Sequence, residues 1–417
     1  MITIRPFRGL RPTPELVDKV AAKPYDVLNS AEAKAEAKGN PYSFLRISKP
    51  EINFDEKIDQ YADEVYAKGK EIFDDFVNKG IYIRDEKPCL YIYAQEMNGR
   101  RQTGLMAGSS IDDYFANNIK KHEFTRPDKE NDRIRHMKTK MCQPGAVFLT
   151  YRKVDEISTL INEFAKSNAP IYQFIDSQDV THFLWKIDNE KTIQLLVDLF
   201  EKNVPCSYIA DGHHRSAASA KVGMQLRSEN PNFNGTEPFN YFLSVLFPSE
   251  DLAILDYNRL LKDLNGQTKE QIIEKISANF EIIKIGKHLS KPSKMHQFSM
   301  YLEGDWYQLN ALPNTYNDND PIESLDVTVL SNHILDPIFG IKDQRTDTRI
   351  DFVGGIRGLA ELQNRVDSGE MKIAFALFPA TLDQLMNIAD AGEIMPPKST
   401  WFEPKLKSGL VINLLGT

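Results

Sequence analysis

Apolar residues recur along this chain in two alternating rhythms. Within 55–79, Ile58, Ala62, Val65, Ile72 and Phe76 fall at helical spacing, and Gly80 supplies a stop. Within 154–166, Ile157, Leu160, Ile161 and Phe164 share one face, which predicts an amphipathic helix. Residues 88–97 instead pack apolar and aromatic side chains into a short run, a buried strand. A second strand at 102–111 follows the turn at Asn98-Gly99. The same reading puts strands at 145–151, 183–187, 207–210, 239–247, 281–285, 372–378 and 410–415. Helices are predicted at 191–202, 215–226, 356–366 and 381–389. Thr268 and Gln271 have capping-box spacing, for a helix running through 280. Residues 5–50 are punctuated by Pro6, Pro12, Pro14, Pro24 and Pro41, so they read as extended and turn-rich, with a helix only at 31–38.

Interleaved strands and helices give a mixed α/β (α+β) class. A length of 417 residues suits roughly two or three units. Proline, serine and acids interrupt two apolar runs at 248–256, which predicts a first region 1–250 that binds nucleotide and substrate and a C-terminal α/β region 251–417 that completes the site.

Composition narrows the function. At 41% hydrophobic residues the chain can bury a core, which excludes low-complexity disorder. A net charge of −8 argues against nucleic acid as a partner over the whole surface. The basic exception is 120–140, where Lys and Arg outnumber acids eight to four. No run of about 18 apolar residues is present, so no membrane span is expected. Three cysteines, Cys89, Cys142 and Cys206, form no Cys-x-x-Cys pair and fit a reducing, cytoplasmic compartment.

The densest chemistry is Ile209-Ala-Asp211-Gly212-His213-His214-Arg215-Ser216, between a predicted strand and an Ala-rich helix. Glycine at that junction permits positive φ and close approach of a ligand. The helix start offers free N–H groups to phosphate, and Arg215 adds a forked donor. A carboxylate beside phosphate needs an intervening cation or proton. Asp211 therefore either holds Mg2+ against the phosphates or takes a proton from a substrate hydroxyl. A plain helix cap is the structural alternative. A zinc site on His213 and His214 is disfavoured, because adjacent residues seldom face one ion. Glu123 is the leading second carboxylate: of Glu123 and Asp211, one aligns the acceptor hydroxyl and the other holds Mg2+, with His122 a candidate for the substrate and His214 and Arg215 candidates for catalysis and phosphate. Arg126 is a candidate for phosphate, Asp26 for a substrate amine, and Arg259 and Lys398 for a substrate carboxylate. No P-loop, dinucleotide fingerprint or nucleophile elbow is present.

These motifs resemble the domain-of-unknown-function family 1015 over essentially the whole chain. The resemblance is carried by Pro6-Phe7-Arg8-Gly9-Leu10-Arg11-Pro12, Lys23-Pro24-Tyr25-Asp26-Val27, Asn40-Pro41-Tyr42-Ser43-Phe44, His122-Glu123, His182-Phe-Leu-Trp185, Asp211 to Arg215, Asp256-Tyr257-Asn258-Arg259 and the tail from Met395 to Leu410. The Asp-Gly-His-His-Arg turn is also similar to the phosphate-binding turn of free-serine kinases with a sulfiredoxin/ParB-like fold. That similarity implies a ParB/sulfiredoxin-like nucleotide-binding core and an Mg2+-dependent kinase that phosphorylates free L-serine from ATP, or from ADP. A homo-oligomer is compatible with it. The rivals are a non-catalytic ParB-like nucleotide-binding regulator and a metal-dependent phosphoesterase.

Overall fold

The computed structural model describes residues 1–55 and 58–416. Glu56 and Lys57, at the start of the helix predicted over 55–79, lie outside the described residues. The architecture is mixed α/β, and the chain divides into two compact units, 1–252 with 404–417, and 253–403. The predicted boundary near 250 put 404–417 in the second region, whereas these residues pack within the first unit.

Among its described residues the first unit holds a nine-stranded sheet. Its order is Ile119–Lys120, Ser207–Asp211, Val147–Tyr151, Tyr241–Pro248, Arg100–Ser110, Leu90–Met97, Thr181–Ile187, Tyr172–Ile175, and Ile4–Arg5 pairs off this path with Arg100–Ser110. Two of the pairings are parallel: Ser207–Asp211 with Ile119–Lys120, and Tyr241–Pro248 with Val147–Tyr151. The central strands read as continuous apolar runs because both faces are covered. Leu90, Ile92, Leu105, Leu149 and Ile209 are fully buried in one core with Ile157 and Phe200 from the helices Asp155–Ser167 and Glu190–Asn203.

The helix His213–Glu229 is apolar on several sides rather than one. Ala217, Ala218, Ala220, Val222 and Gly223 are all buried. Small residues let it lie close to its neighbours. A Cβ on Gly223 would stand 2.4 Å from the Phe239 carbonyl oxygen and 2.6 Å from Ile111 Cδ1. A second helix, Pro127–Lys140, packs against it through Met137 on Ala218 and Val222.

The second unit carries a six-stranded antiparallel sheet, ordered Phe280–Gly286, Asp305–Ala311, Gln297–Leu302, Ile373–Leu377, Tyr257–Leu261, Ile350–Gly354. The helix Gly358–Asp367 covers it with Leu362 on Leu260, Tyr301, Trp306 and Val353. Thr268 and Gln271 do form a reciprocal capping box. The helix they start ends at Ser277, and Phe280 opens the next strand, because its ring is buried against Phe298.

Candidate functional site

The strand Ser207–Asp211 runs into a single residue, Gly212, at φ +96°, and the helix begins at His213. Two facts make glycine necessary there. The backbone is left-handed, and a Cβ would meet the Arg215 guanidinium carbon at 3.1 Å. No side chain caps the helix, so its first N–H groups and the positive end of its dipole are open to an anion. Ser216 turns inward and donates to the Gly212 carbonyl at 3.0 Å, which leaves Arg215 as the side chain that lines the turn.

Asp211 sits at the strand end with two cations on one oxygen. Its Oδ2 lies 3.4 Å from Lys405 Nζ and 3.5 Å from Arg215 Nη2. Burial alone would raise its carboxyl, but Lys405 and Arg215 outweigh that and hold it well below the usual carboxylate range. The same Arg215 nitrogen stands 3.8 Å from Asp26 Oδ2, and Nη1 donates to the Ala146 carbonyl. Arg215 Nε is buried without a hydrogen-bond partner. Arg215 thus has donor capacity left for a ligand.

On the other flank, His213 Nδ1 lies 3.5 Å from Glu123 Oε2. The His122 and His213 rings meet edge to face at 4.5 Å. Burial pushes His122 down to about 4 and His213 well below its ordinary value, so both are neutral near pH 7. Each keeps one ring nitrogen buried with no partner, Nδ1 of His122 and Nε2 of His213. His214 accepts a hydrogen bond at Nε2 from the Arg126 backbone N–H at 3.0 Å. The Arg126 guanidinium turns outward to Asp128 at 2.8 Å and is mostly exposed. Arg126 therefore enters the site through its backbone.

Behind the turn, Tyr25, Arg133, His136, Lys140, Arg215 and Ser219 line a cavity with about 500 Å³ of empty space, partly open to solvent. Arg215 and Ser219 reach it together because they are one turn apart on the helix. The Arg133 guanidinium lies 3.6 Å over the Tyr25 ring. Lys140 donates to His136 Nδ1 at 2.8 Å, and burial lowers the lysine to about 8. The wall is cationic, with no carboxylate among these lining residues.

Residues of the site thus come from five stretches of sequence: Tyr25 and Asp26, His122 to Arg126, Arg133 to Lys140, Asp211 to Ser219, and Lys405. Sequence reasoning missed Lys405, which lies 194 residues from its partner. Arg133, within the basic run 120–140, joins the cavity wall from the helix Pro127–Lys140. Arg259 and Lys398 lie in the second unit, where Arg259 Nη2 donates to the Lys398 carbonyl at 3.0 Å.

A family model described as a protein of unknown function (DUF1015) matches residues 4–328. The chain belongs to the DUF1015 family. Among solved structures, this DUF1015 chain is similar to a free serine kinase in complex with AMP, at 14% identity and a TM-score of 0.36, over 73% of this chain and 91% of that one. It is similar to a conserved hypothetical protein from Pyrococcus furiosus at 16% identity and a TM-score of 0.34, over 73% and 93%. It is also similar to SbnI with a C-terminal truncation from Staphylococcus aureus at 10% identity and a TM-score of 0.38, over 75% and 86%. Overlaps this loose carry no residue or activity across. No curated protein matches the DUF1015 chain.

Among the described residues no cluster of three or more His, Cys, Asp or Glu side chains converges as a metal site, and no helix is long and apolar enough to cross a membrane. Mg2+ asks for less than such a cluster, since it is commonly held by one or two carboxylates together with substrate phosphates. Asp211, ionised and only partly buried, fits that role in the DUF1015 chain.

Proposed function

We propose that this protein is a small-molecule kinase that transfers a phosphoryl group from ATP or ADP to the hydroxyl of free L-serine, giving O-phospho-L-serine. The observation that carries the reading is the Asp211 to Ser216 turn: uncapped helix N–H groups, a left-handed glycine that admits a close ligand, and an arginine with an unused buried donor, all beside an ionised carboxylate. On this reading the turn is the centre of a ParB/sulfiredoxin-like core that seats the nucleotide phosphates.

The chain's own residues divide the work. His213 to Arg215 hold phosphate oxygens through backbone N–H groups, the Ser216 N–H being taken by the Gly212 carbonyl, and Arg215 neutralises charge as the phosphoryl group moves. His213 and His122, neutral and paired, each bring an unused ring nitrogen that can donate or accept without adding charge. Glu123, exposed and facing His213, accepts the hydroxyl proton. Asp211 would hold Mg2+, which supplies charge neutralisation on the phosphates when bound. The cationic cavity seats the acceptor, with Arg133 and Lys140 toward its carboxylate and Asp26 toward its amine.

The test is a screen of free amino acids and small alcohols with ATP or ADP plus Mg2+, followed by phosphorus NMR. O-Phosphoserine is the expected product. Asp211→Asn and Glu123→Gln are each expected to cut turnover by about 100-fold or more while the chain stays folded. Full turnover in both variants would overturn the roles. Release of phosphate from O-phosphoserine with no nucleotide present would point to a phosphoesterase instead.

A further inference from the structure

The second unit holds a charge arrangement that the kinase reading does not use. Arg259, on the strand Tyr257–Leu261, is only 1% exposed. Its N–H groups go to neutral oxygens: the carbonyls of Tyr257, Pro397 and Lys398, and weakly to Gln344 Oε1 at 3.5 Å. Among the described residues no carboxylate lies within ion-pair distance of it. Burial lowers the guanidinium to about 10, so it still carries its proton at neutral pH. Carbonyls satisfy its hydrogen bonds and leave its charge uncompensated, which is costly in a buried place.

Asp326 shows the converse. It is 8% exposed, and its Oδ1 accepts from the His296 backbone N–H at 2.8 Å and stands 3.2 Å from His296 Nδ1. Its Oδ2 is buried and meets no donor at hydrogen-bond geometry. Burial raises the Asp326 carboxyl, the His296 ring and the backbone N–H groups of His296 and Phe378 oppose that rise, and Asp318 lies on the other ring nitrogen of His296 at 3.3 Å. Asp326 opens the helix Asp326–Leu330, which continues into a wide turn closed by the Asp336 N–H on the Ser331 carbonyl. Such i→i+5 turns are frequent at functional sites. Gln344 ties that turn to Arg259, donating to Ser331 Oγ at 2.6 Å.

Arg259 and Asp326 both line one cleft with about 360 Å³ of empty space, partly open to solvent, and Met295, Val327, Leu377 and Phe378 add apolar lining. One wall lacks an anion and another lacks a donor. A ligand that carries both completes both. We propose that this cleft binds a free α-amino acid, with its carboxylate on Arg259 and its ammonium on Asp326. The proposal stands independently of the kinase reading, because the cleft is built wholly from 257–399.

The experiment is calorimetric titration of the full chain, without nucleotide, with L-serine and a panel of other L-amino acids at millimolar concentration. The same titrations are run with the matching amino-acid amides and N-acetyl amino acids. At least one amino acid is expected to bind. Its amide and its N-acetyl derivative are each expected to bind about 30-fold more weakly or worse, since each strands one buried charge. Asp326→Asn and Arg259→Lys, checked for fold by circular dichroism, should show the same loss. No binding by any amino acid, equal binding of the blocked analogues, or wild-type affinity in folded Asp326→Asn would each overturn the proposal. The analogue series uses the unaltered chain, so it decides the matter even if a variant fails to fold. A failed kinase screen leaves this binding untouched.

Discussion

Asp211 is kept ionised by neighbours rather than by solvent. Its partners Lys405 and Arg215 pull its folded value below that of a free aspartate. A depressed carboxyl stabilises the fold at every pH above the unfolded value near 3.9, and that contribution is lost as pH falls through the folded value. Removing Lys405 takes away one of the two cations. Lys405→Met is therefore expected to lose about 1–2 kcal/mol at neutral pH and to unfold at a higher pH on acid titration. Urea titrations at pH 7 and an acid melt followed by circular dichroism check both. An unchanged acid midpoint would mean that Arg215 alone holds Asp211 down. The motif around Asp211 was readable in the sequence because its residues are contiguous and their chemistry is unusual. Lys405 was not, because nothing in a lysine of a loop says which distant carboxylate it will meet.

At the level of elements, the helix His213–Glu229 fixes how accurately its own first turn is aimed. Its Ala- and Gly-rich surface replaces long interlocking side chains with close backbone approach. Gly223→Ala would normally gain about 1 kcal/mol of helix propensity. Here the added carbon strikes the Phe239 carbonyl, so a net loss of about 1–2 kcal/mol in urea unfolding is expected. A stabilised variant would show that this contact yields easily. Periodicity located most long elements, such as Asp155–Ser167 and Glu190–Asn203, since one buried face repeats along each. It gave no notice of the short helices Val17–Val20 and Leu45–Ser48 in the proline-rich opening. Those are single turns whose buried residues, Val20, Leu45 and Ile47, are set by tertiary contacts with Phe73 and Phe76. The strand predicted at 410–415 shrinks to Asn413–Leu414, because the tail pairs only briefly with Cys142–Gln143 and otherwise makes single backbone contacts, Ile412 with Leu10 and the Leu415 N–H with the Met141 carbonyl.

For the whole molecule, the first unit is made from both ends of the described chain. Residues 404–417 belong to it although 253–403 intervene. The returning segment anchors at several points: Lys405 on Asp211, Lys407 on Asp176 at 2.5 Å, Ile412 in backbone exchange with Leu10, and Tyr82 Oη donating to the Gly409 carbonyl at 2.9 Å. Deleting 404–417 strips a core residue, Ile412, and leaves the half-buried Asp176 without its lysine. The shortened chain is expected to lose cooperative unfolding of the first unit and all binding at the Asp211 turn. Thermal melts and nucleotide titration of the truncated protein check this, and a truncated form with wild-type melting would refute it. Synthesis on a ribosome proceeds from the amino end, so the entire 253–403 unit is made before Lys405 exists. Asp211 must wait through some two hundred further peptide bonds for its second cation, and a nascent chain stalled anywhere in that interval has the turn in place without its full charge balance.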